Sequence, residues 1–339
     1  MITQQLKVTI LGKGITTKVT NTEAYNLYLQ AKQLQTPRSY NNLTNSEKLI
    51  RQSIAIDSTY APSWALLSDI IYRITFNYMK LPLEKGIPLG KQAAVKAIDL
   101  DRQYAFAYAA LSDFNVAEWD FESSERNFKQ ALQFAPENAE IIRRAAGKFM
   151  DLGKKAEAIA LLKKAIDLDP LNYLSYFNLS LFYLWNKQID EAEESLKKFL
   201  LMFPDAGFAH NTMGQILLTK GDYKNALLEI EKDDDPFWNL NRKAMVVYAM
   251  GNKIDADALL KKHIDNYGSN SWPNIAHVYA FRGEKDEAFK WLELAYDHKD
   301  ASLLEILNYP EMESLWGDPR WNKFINKLGL PKDHGFHLD

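Results

Sequence analysis

A short apolar pattern recurs every 34 residues, and this spacing constrains the fold more than any other feature of the chain. The pattern begins at positions 97, 131, 165 and 199. Three of the four copies are followed directly by proline, at Pro136, Pro170 and Pro204. Proline lacks the backbone donor and clashes with the preceding turn, so it ends a helix. The recurrence therefore predicts a helix that stops at the same place in each repeat.

A second helical pattern lies upstream of each stop, where Tyr176, Leu179 and Tyr183 are spaced by three and four residues. Glycine marks the turn between the two helices, because it adopts the left-handed conformation that ends a helix. A small residue follows and lets the paired helices approach closely. The turn glycines are Gly153, Gly221, Gly251 and Gly283, and the small residues are Ala158, Ala192, Ala226, Ala256 and Ala288.

This arrangement resembles the tetratricopeptide repeat (TPR) family. Segment 173–204 carries its pattern of tyrosine, leucine, small residue and tyrosine in one helix, then alanine, leucine and proline in the next. The resemblance implies an all-α fold, a right-handed superhelix of about eight helix-turn-helix repeats that ends in a C-terminal capping helix. It also implies a binding scaffold, since such arrays expose a long concave surface.

The repeat phase sets the expected domain organisation. We predict an N-terminal linker or remnant of an upstream domain at 1–20, a repeat array at 21–300, capping helices at 301–331 and a flexible tail at 332–339. The second repeat carries about ten extra residues near 77–88, and a shortened repeat ends near Pro236. The insertion could be a specificity element or simply a longer hairpin.

Both edges of the chain carry a second resemblance. Residues 22–30, and residues 310–331 with the run Gly317-Asp318-Pro319, look like the two ends of TPR modules that follow a TolB-like domain. Such modules occur in bacterial transcriptional regulators and adenylate cyclases. The resemblance implies a sensory or regulatory module of a larger bacterial signalling protein, which we keep as the alternative to a free-standing scaffold.

Composition limits the chemistry of the chain. The 41 lysines and arginines against 44 aspartates and glutamates leave a net charge of −3, so no basic excess indicates a nucleic-acid partner through this region. Cysteine is absent from the sequence, which excludes disulfides and thiolate sites. The sequence has no run of 18 apolar residues that would predict a membrane span, and residues 1–7 lack the apolar core of a signal peptide. Cytoplasm and periplasm both remain open.

No catalytic, cofactor or metal-binding constellation is recognisable in the sequence. The six histidines form no helical two-histidine motif, and Gly12-Lys13-Gly14 is too short for a phosphate loop. His334 and His337 fall in the tail that we expect to be flexible. We therefore predict that the chain is not an enzyme and that its partner is a protein or peptide of unknown identity, with a homodimer also open.

The face of each first helix that lines the groove in TPR arrays gives the candidate peptide-binding residues. An aromatic patch at Phe177, Leu181 and Trp185 would suit an extended or helical peptide. Packing on a neighbouring repeat or on a dimer partner is an alternative explanation for the same patch. The full candidate set is Tyr72, Arg73, Arg143, Phe177, Leu181, Trp185, Asn211, Gln215, Asn241, Arg242, Tyr248, Asn274, His277 and Phe281.

Overall fold

The computed structural model describes residues 20–35, 39–78, 80–300 and 302–337. Its contacts divide the chain into two compact units, which join in sequence at Ala145 and Ala146 within one helix. Residues 1–19 of the predicted N-terminal linker lie outside the described residues. The helices of unit 1 are α1 (Thr22–Gln33), α2 (Tyr40–Ile56), α3 (Ala61–Tyr72), α4 (Leu83–Leu100), α5 (Ala105–Ala117) and α6 (Phe121–Phe134); α7 (Ala139–Asp151) contains the junction.

Unit 2 continues the same succession of helix pairs. Its helices are α8 (Lys155–Leu168), α9 (Tyr173–Trp185), α10 (Ile189–Met202), α11 (Gly207–Thr219), α12 (Tyr223–Ile230), α13 (Pro236–Ala249), α14 (Lys253–Tyr267), α15 (Trp272–Phe281), α16 (Lys285–Asp297), α17 (Leu303–Ile306), a 3-10 helix (Pro310–Leu315) and α18 (Pro319–Lys327). From α1 to α16 the described chain contains eight successive pairs, as the repeat phase predicts. The all-α fold class is confirmed.

The sequence signals that define the repeat lie where the helices end. Ala135, Asp169 and Phe203 directly precede the three prolines and have φ of −138°, −142° and −136°. A residue before proline is pushed out of the α region, so each second helix stops there. The five small residues of the second helices are all fully buried. Close packing within each pair therefore depends on them.

Two irregularities interrupt the repeat. After α3 a π-helical turn, Arg73–Asn77, prolongs the first helix, and α4 already begins at Leu83. Part of the predicted insertion near 77–88 is therefore helical. Gly86 allows the two segments to touch, since a Cβ there would lie 2.1 Å from Thr75 Oγ1. The predicted shortened repeat corresponds to α12, which has eight residues and is followed by the Asp235 cap of α13.

The described part of the C-terminal tail is packed, which differs from the predicted flexible tail at 332–339. The backbone N–H of Gly335 donates to the carbonyl oxygen of Leu152 at 2.7 Å. Trp321 Nε1 donates to the carbonyl oxygen of His337 at 2.8 Å, and Phe336 is buried. An ion pair between Asp333 and Lys154 and stacking of His337 on Trp316 add to these contacts, so 332–337 is packed although the tail is polar overall. Residues 338–339 lie outside the described residues.

This packing makes Gly153 more sensitive than the other turn glycines. Gly153 and Gly221 have φ of +73° and +79°, where an L side chain is strained by about 1–2 kcal/mol. A Cβ at Gly153 would also lie 2.8 Å from the backbone nitrogen of Phe336, whereas nothing lies within 4 Å at Gly221.

We expect Gly221→Ala to lower the free energy of unfolding by about 1 kcal/mol and Gly153→Ala by about 2–4 kcal/mol, because overpacking adds to the strain. Urea unfolding of the two variants measures the difference. Deleting 332–339 should make the two losses equal. Equal losses in the full-length chain would contradict the packing of the tail on Gly153.

Candidate functional site

In unit 1, the candidate residues Arg73 and Arg143 belong to a cluster of three arginines and three carboxylates on α3, its π-helical extension, α5 and α7. Arg73 pairs with Asp69 at 3.0 Å, and Arg143 pairs with Glu140 through both of its carboxylate oxygens. A third arginine bridges two of the carboxylates. The members of this unit 1 charge cluster are Asp69, Arg73, Asp113, Glu140, Arg143 and Arg144.

The cluster is half-buried, and its charges stabilise one another. Burial alone would raise the pKa of Glu140, but the guanidinium groups of Arg143, Arg144 and Arg73 outweigh it and lower the pKa to about 2. Arg143 and Arg144 retain 12% and 11% side-chain exposure. A small part of each side chain is therefore exposed, and guanidinium groups form strong hydrogen bonds with carboxylates.

Tyr72, the third candidate in unit 1, is part of an aromatic cluster. Its ring lies 4.7 Å from that of Phe76 and 5.4 Å, edge to face, from that of Phe114. These rings pack around α4 at the irregular second repeat. Tyr72 therefore contributes to the core beside the charge cluster.

The aromatic patch of α9 does not form one free surface. The ring of Phe177 lies 5.3 Å from Phe199 and 4.9 Å from Phe208, on the following helices α10 and α11. Phe177 thus packs between repeats, which is the alternative stated for it. Leu181 is half-buried on the same helix.

The candidate amides of unit 2 are buried. Asn241 Nδ2 donates to the carbonyl oxygen of Asn274 at 3.1 Å and so joins α13 to α15. Asn211 and Gln215 lie one turn apart on α11, with 5% and 2% exposure. Their Nδ2 and Nε2 atoms have no hydrogen-bond partner among the described residues. These four side chains do not line an open wall.

Tyr248 and Phe281 form a separate, half-buried aromatic pair with their ring centroids 6.3 Å apart. The guanidinium of Arg282 lies 4.8 Å from the Tyr248 ring. Such a cation over an aromatic face is attracted by the ring quadrupole. The pair is held by this contact on the first helices α13 and α15.

Trp185, Arg242 and His277 come together, but they are covered by the chain itself. Residues 302–316, here called the C-terminal segment, lie against them. The ring of Tyr309 stacks on Trp185 at 5.2 Å, meets His277 edge to face at 4.7 Å and lies 5.6 Å from the guanidinium carbon of Arg242. We call the surface formed by Lys155, Trp185, Arg242 and His277 the unit 2 face. All three candidate residues in it are at most 4% exposed.

A short relay of hydrogen bonds crosses this contact. Arg242 Nη1 lies 3.3 Å from His277 Nδ1, and His277 Nε2 lies 3.0 Å from Glu311 Oε2. Burial, with a smaller effect of Arg242, lowers the pKa of His277 although Glu311 opposes the shift. A neutral ring with its proton on Nε2 donates to Glu311 and accepts from Arg242. The imidazole therefore links a cation to an anion without carrying charge itself.

Polar contacts hold the C-terminal segment on either side of Tyr309. Asn308 Nδ2 donates to the carbonyl oxygen of Met150 at 2.8 Å, and Lys155 Nζ donates to the carbonyl oxygen of Asn308 at 3.0 Å. Ser314 Oγ donates to the carbonyl oxygen of Ala280 at 2.8 Å. The segment thus contacts backbone groups on two first helices that are far apart in the sequence of unit 2, at Met150 in α7 and at Ala280 in α15.

Sequence reasoning missed the covering residues Tyr309 and Glu311, because they stand outside the repeat phase. It also missed Arg144, which follows Arg143 and carries the bridge in unit 1. The run Tyr309-Pro310-Glu311 was the available signal for this contact. Its aromatic ring and its carboxylate are complementary to an aromatic and a cationic side chain such as Trp185 and Arg242. Nothing in the repeat, however, indicates where a cap folds.

The described ranges also bear on metal binding and membrane insertion. No cluster of three or more histidine, aspartate or glutamate side chains in them could hold a metal ion. None of the described helices is long and apolar enough to cross a membrane.

The relay makes a pH prediction. The unfolded chain protonates His277 near pH 6.5, whereas the folded chain does so only at lower pH, so stability is lost as the pH falls below about 6.5. The loss is at most about 1.4 kcal/mol per pH unit.

We expect His277→Gln to weaken this dependence in urea unfolding between pH 7.5 and 5.5, and the exposed His298→Gln to leave it unchanged. Buried His263, with a pKa of about 4, keeps some dependence in all three proteins. Identical slopes for His277→Gln and the parent chain would contradict a buried neutral imidazole.

Comparison with known proteins agrees with the repeat. Residues 149–216 match the tetratricopeptide repeat family. The protein O-mannosyl-transferase TMTC3 of Homo sapiens is 25% identical over 167 residues, which are 48% of this chain and 17% of that protein. The mitochondrial import receptor subunit TOM70 of Rattus norvegicus is 26% identical over 125 residues, 37% of this chain and 20% of that protein. The matched part thus spans about a fifth of these relatives.

A solved structure shares the fold at low identity. The human IFIT1 dimer with m7Gppp-AAAA superposes with a TM-score of 0.57 at 15% identity, over 81% of this chain and 76% of that one. Together with the match over 149–216 and the eight helix pairs in the described residues, this likeness identifies the fold. The described residues therefore have the tetratricopeptide-repeat fold, and residues 149–216 match that family.

Proposed function

We propose that the chain is a protein- or peptide-binding scaffold without a catalytic role, which uses the faces of its first helices. Repeat arrays of this kind present extended surfaces on which a partner can lie. A relative named as an import receptor subunit supports the same class of function. The partner itself is not identified by these likenesses.

One observation carries the proposal: the unit 2 face already holds a peptide segment. The segment is the chain's own, and it is held by aromatic stacking on Trp185, the His277–Glu311 hydrogen bond and Lys155 on a main-chain carbonyl. These are the interactions by which receptors recognise peptides. First-helix faces of this array therefore have the chemistry of peptide recognition.

The unit 1 charge cluster supports a second such face. The side chains of Arg73, Arg143 and Glu140 are 22%, 12% and 36% exposed, so the cluster contains both donors and acceptors for a partner. Bidentate donors of this kind suit carboxylates and backbone carbonyls. We place the candidate contacts of an outside partner in unit 1 at Arg73 and Arg143.

The finer alternative is a regulatory module within a larger bacterial signalling protein. Its support is the resemblance of residues 22–30 and 310–331 to the ends of such modules. It is compatible with a scaffold role, because a regulatory module also acts by binding. The native reading frame tests it: an upstream TolB-like domain is expected, and its absence there would remove the alternative.

Selection of linear peptides from a displayed library against the full chain tests the scaffold proposal. We expect enriched peptides whose affinity falls about tenfold or more with Arg73→Ala and Arg143→Ala. The matched control is Arg126→Ala with Lys129→Ala on α6, which removes the same charge from well-exposed positions. If no peptide is enriched, the scaffold proposal is contradicted. The proposal is also contradicted if the affinity of the peptides is unchanged both by Arg73→Ala with Arg143→Ala and by Phe177→Ala with Trp185→Ala.

A further inference from the structure

The C-terminal segment fits the unit 2 face through three side chains at alternating positions. Tyr309 lies among Trp185, His277 and Arg242, Glu311 accepts from His277, and Glu313 pairs with Lys187. An aromatic ring and two carboxylates, each two residues apart, are thus bound by the Trp185 ring, the neutral His277 imidazole and the Lys187 ammonium group. This spacing defines a recognition pattern of aromatic, any residue, carboxylate.

The fit leaves buried groups of the unit 2 face unpaired. Arg242 is 4% exposed, and its guanidinium hydrogen-bonds Tyr309 and His277 and interacts electrostatically with Glu305 and Glu311. It forms no direct ion pair with a described carboxylate, however, and its Nε has no hydrogen-bond partner among the described residues. Trp185 is 3% exposed, and its Nε1 likewise has no described partner. A buried donor without an acceptor is costly. The face therefore offers more donors than the chain's own segment uses.

The segment is held on the rest of unit 2 by side-chain contacts and not by pairing of its backbone with another element. Its regular structure is one four-residue helix and one six-residue 3-10 helix, and its backbone–backbone hydrogen bonds run within 300–318. Its hydrogen bonds to the rest of unit 2 each involve a side chain, among them Asn308 on Met150, Ser314 on Ala280 and Lys155 on the carbonyl oxygen of Asn308. Buried leucines at Leu303, Leu307 and Leu315 anchor the two sides. Elements with few main-chain ties open at lower free energy than the whole domain.

We propose that residues 308–313 are a built-in occupant of a peptide site, and that an acidic partner peptide with the pattern aromatic, any residue, carboxylate replaces them on the unit 2 face. The partner supplies the direct ion pair that Arg242 lacks and an acceptor for Trp185 Nε1. This inference rests on the proposed scaffold function and gives one of its faces a ligand class and a built-in competitor.

Competition lowers the apparent affinity by the fraction of molecules in which the face is open. The probe is a fluorescein-labelled synthetic peptide with the sequence of residues 302–317, titrated into the full chain by fluorescence anisotropy. Weakening the internal occupant should therefore raise the affinity for the probe. We expect at least a tenfold increase with Tyr309→Ala and a smaller increase with the milder Glu311→Gln.

Two controls separate recognition from general loosening. Tyr267→Ala removes a tyrosine of unit 2 that packs on Phe237 and His263 away from the segment, and it should bind the probe as the parent chain does. A probe with alanine in place of its tyrosine should lose at least tenfold in affinity for the Tyr309→Ala chain. Adding Trp185→Leu to that chain should abolish binding.

Hydrogen exchange of the unaltered chain gives a second test that needs no variant to fold. Excess unlabelled peptide should speed exchange of amides in 303–316 and leave α9 protected. Unchanged exchange at saturating peptide, or equal probe affinity for parent, Tyr309→Ala and Glu311→Gln chains, would overturn the inference. That failure leaves the scaffold proposal standing if library peptides still depend on Arg73 and Arg143.

Discussion

The structure depends on one constraint: a helix pair of about 34 residues cannot bury both of its faces by itself. Fully buried alanines such as Ala158, Ala192 and Ala226 let the two helices of a pair pack closely. The remaining apolar surface has to be covered by the next pair, which is why such arrays are built from several repeats. At the end of the array no next pair exists, and a capping element must take its place.

In unit 2 the cap does more than close the last pair. It continues past α17 and lays Tyr309 and Glu311 on side chains that belong to three different first helices, α9, α13 and α15. One stretch of chain therefore both caps the array and, in our proposal, occupies a peptide site. The electrostatics fit this double role, because a neutral His277 stands between Arg242 and Glu311, hydrogen-bonded to both, and Arg242 Nε has no hydrogen-bond partner among the described residues.

The repeat could be predicted because its signals are local. Proline at a fixed position, a turn glycine such as Gly153 and an alanine five residues later each act within one hairpin. The candidate face was predicted only in part. Trp185, Arg242 and His277 do converge, but the groups that cover them are far away in sequence: Asn308 and Met150, which share a hydrogen bond, are 158 residues apart. No periodicity indicates a contact of that range, and the tail at 332–337 was missed for the same reason.

Arg143 and Arg144 illustrate a second limit. Successive residues on a helix point about 100° apart, so a one-residue error in the projected face exchanges one arginine for its neighbour. Here both belong to the unit 1 charge cluster, and Arg144 makes the longer-range bridges to Asp69 and Asp113. Charge pairing between repeats, which sequence does not reveal, decides the roles of the two side chains.

The central claim is that Tyr309 is bound by the unit 2 face, and a double-mutant cycle between Trp185→Leu and Tyr309→Leu tests it most directly. Urea unfolding of the four proteins gives the coupling free energy. A stacked aromatic pair predicts a coupling of about 1 kcal/mol. Additive effects, with a coupling below about 0.3 kcal/mol, would contradict the account, because the two rings would then not be in contact in solution.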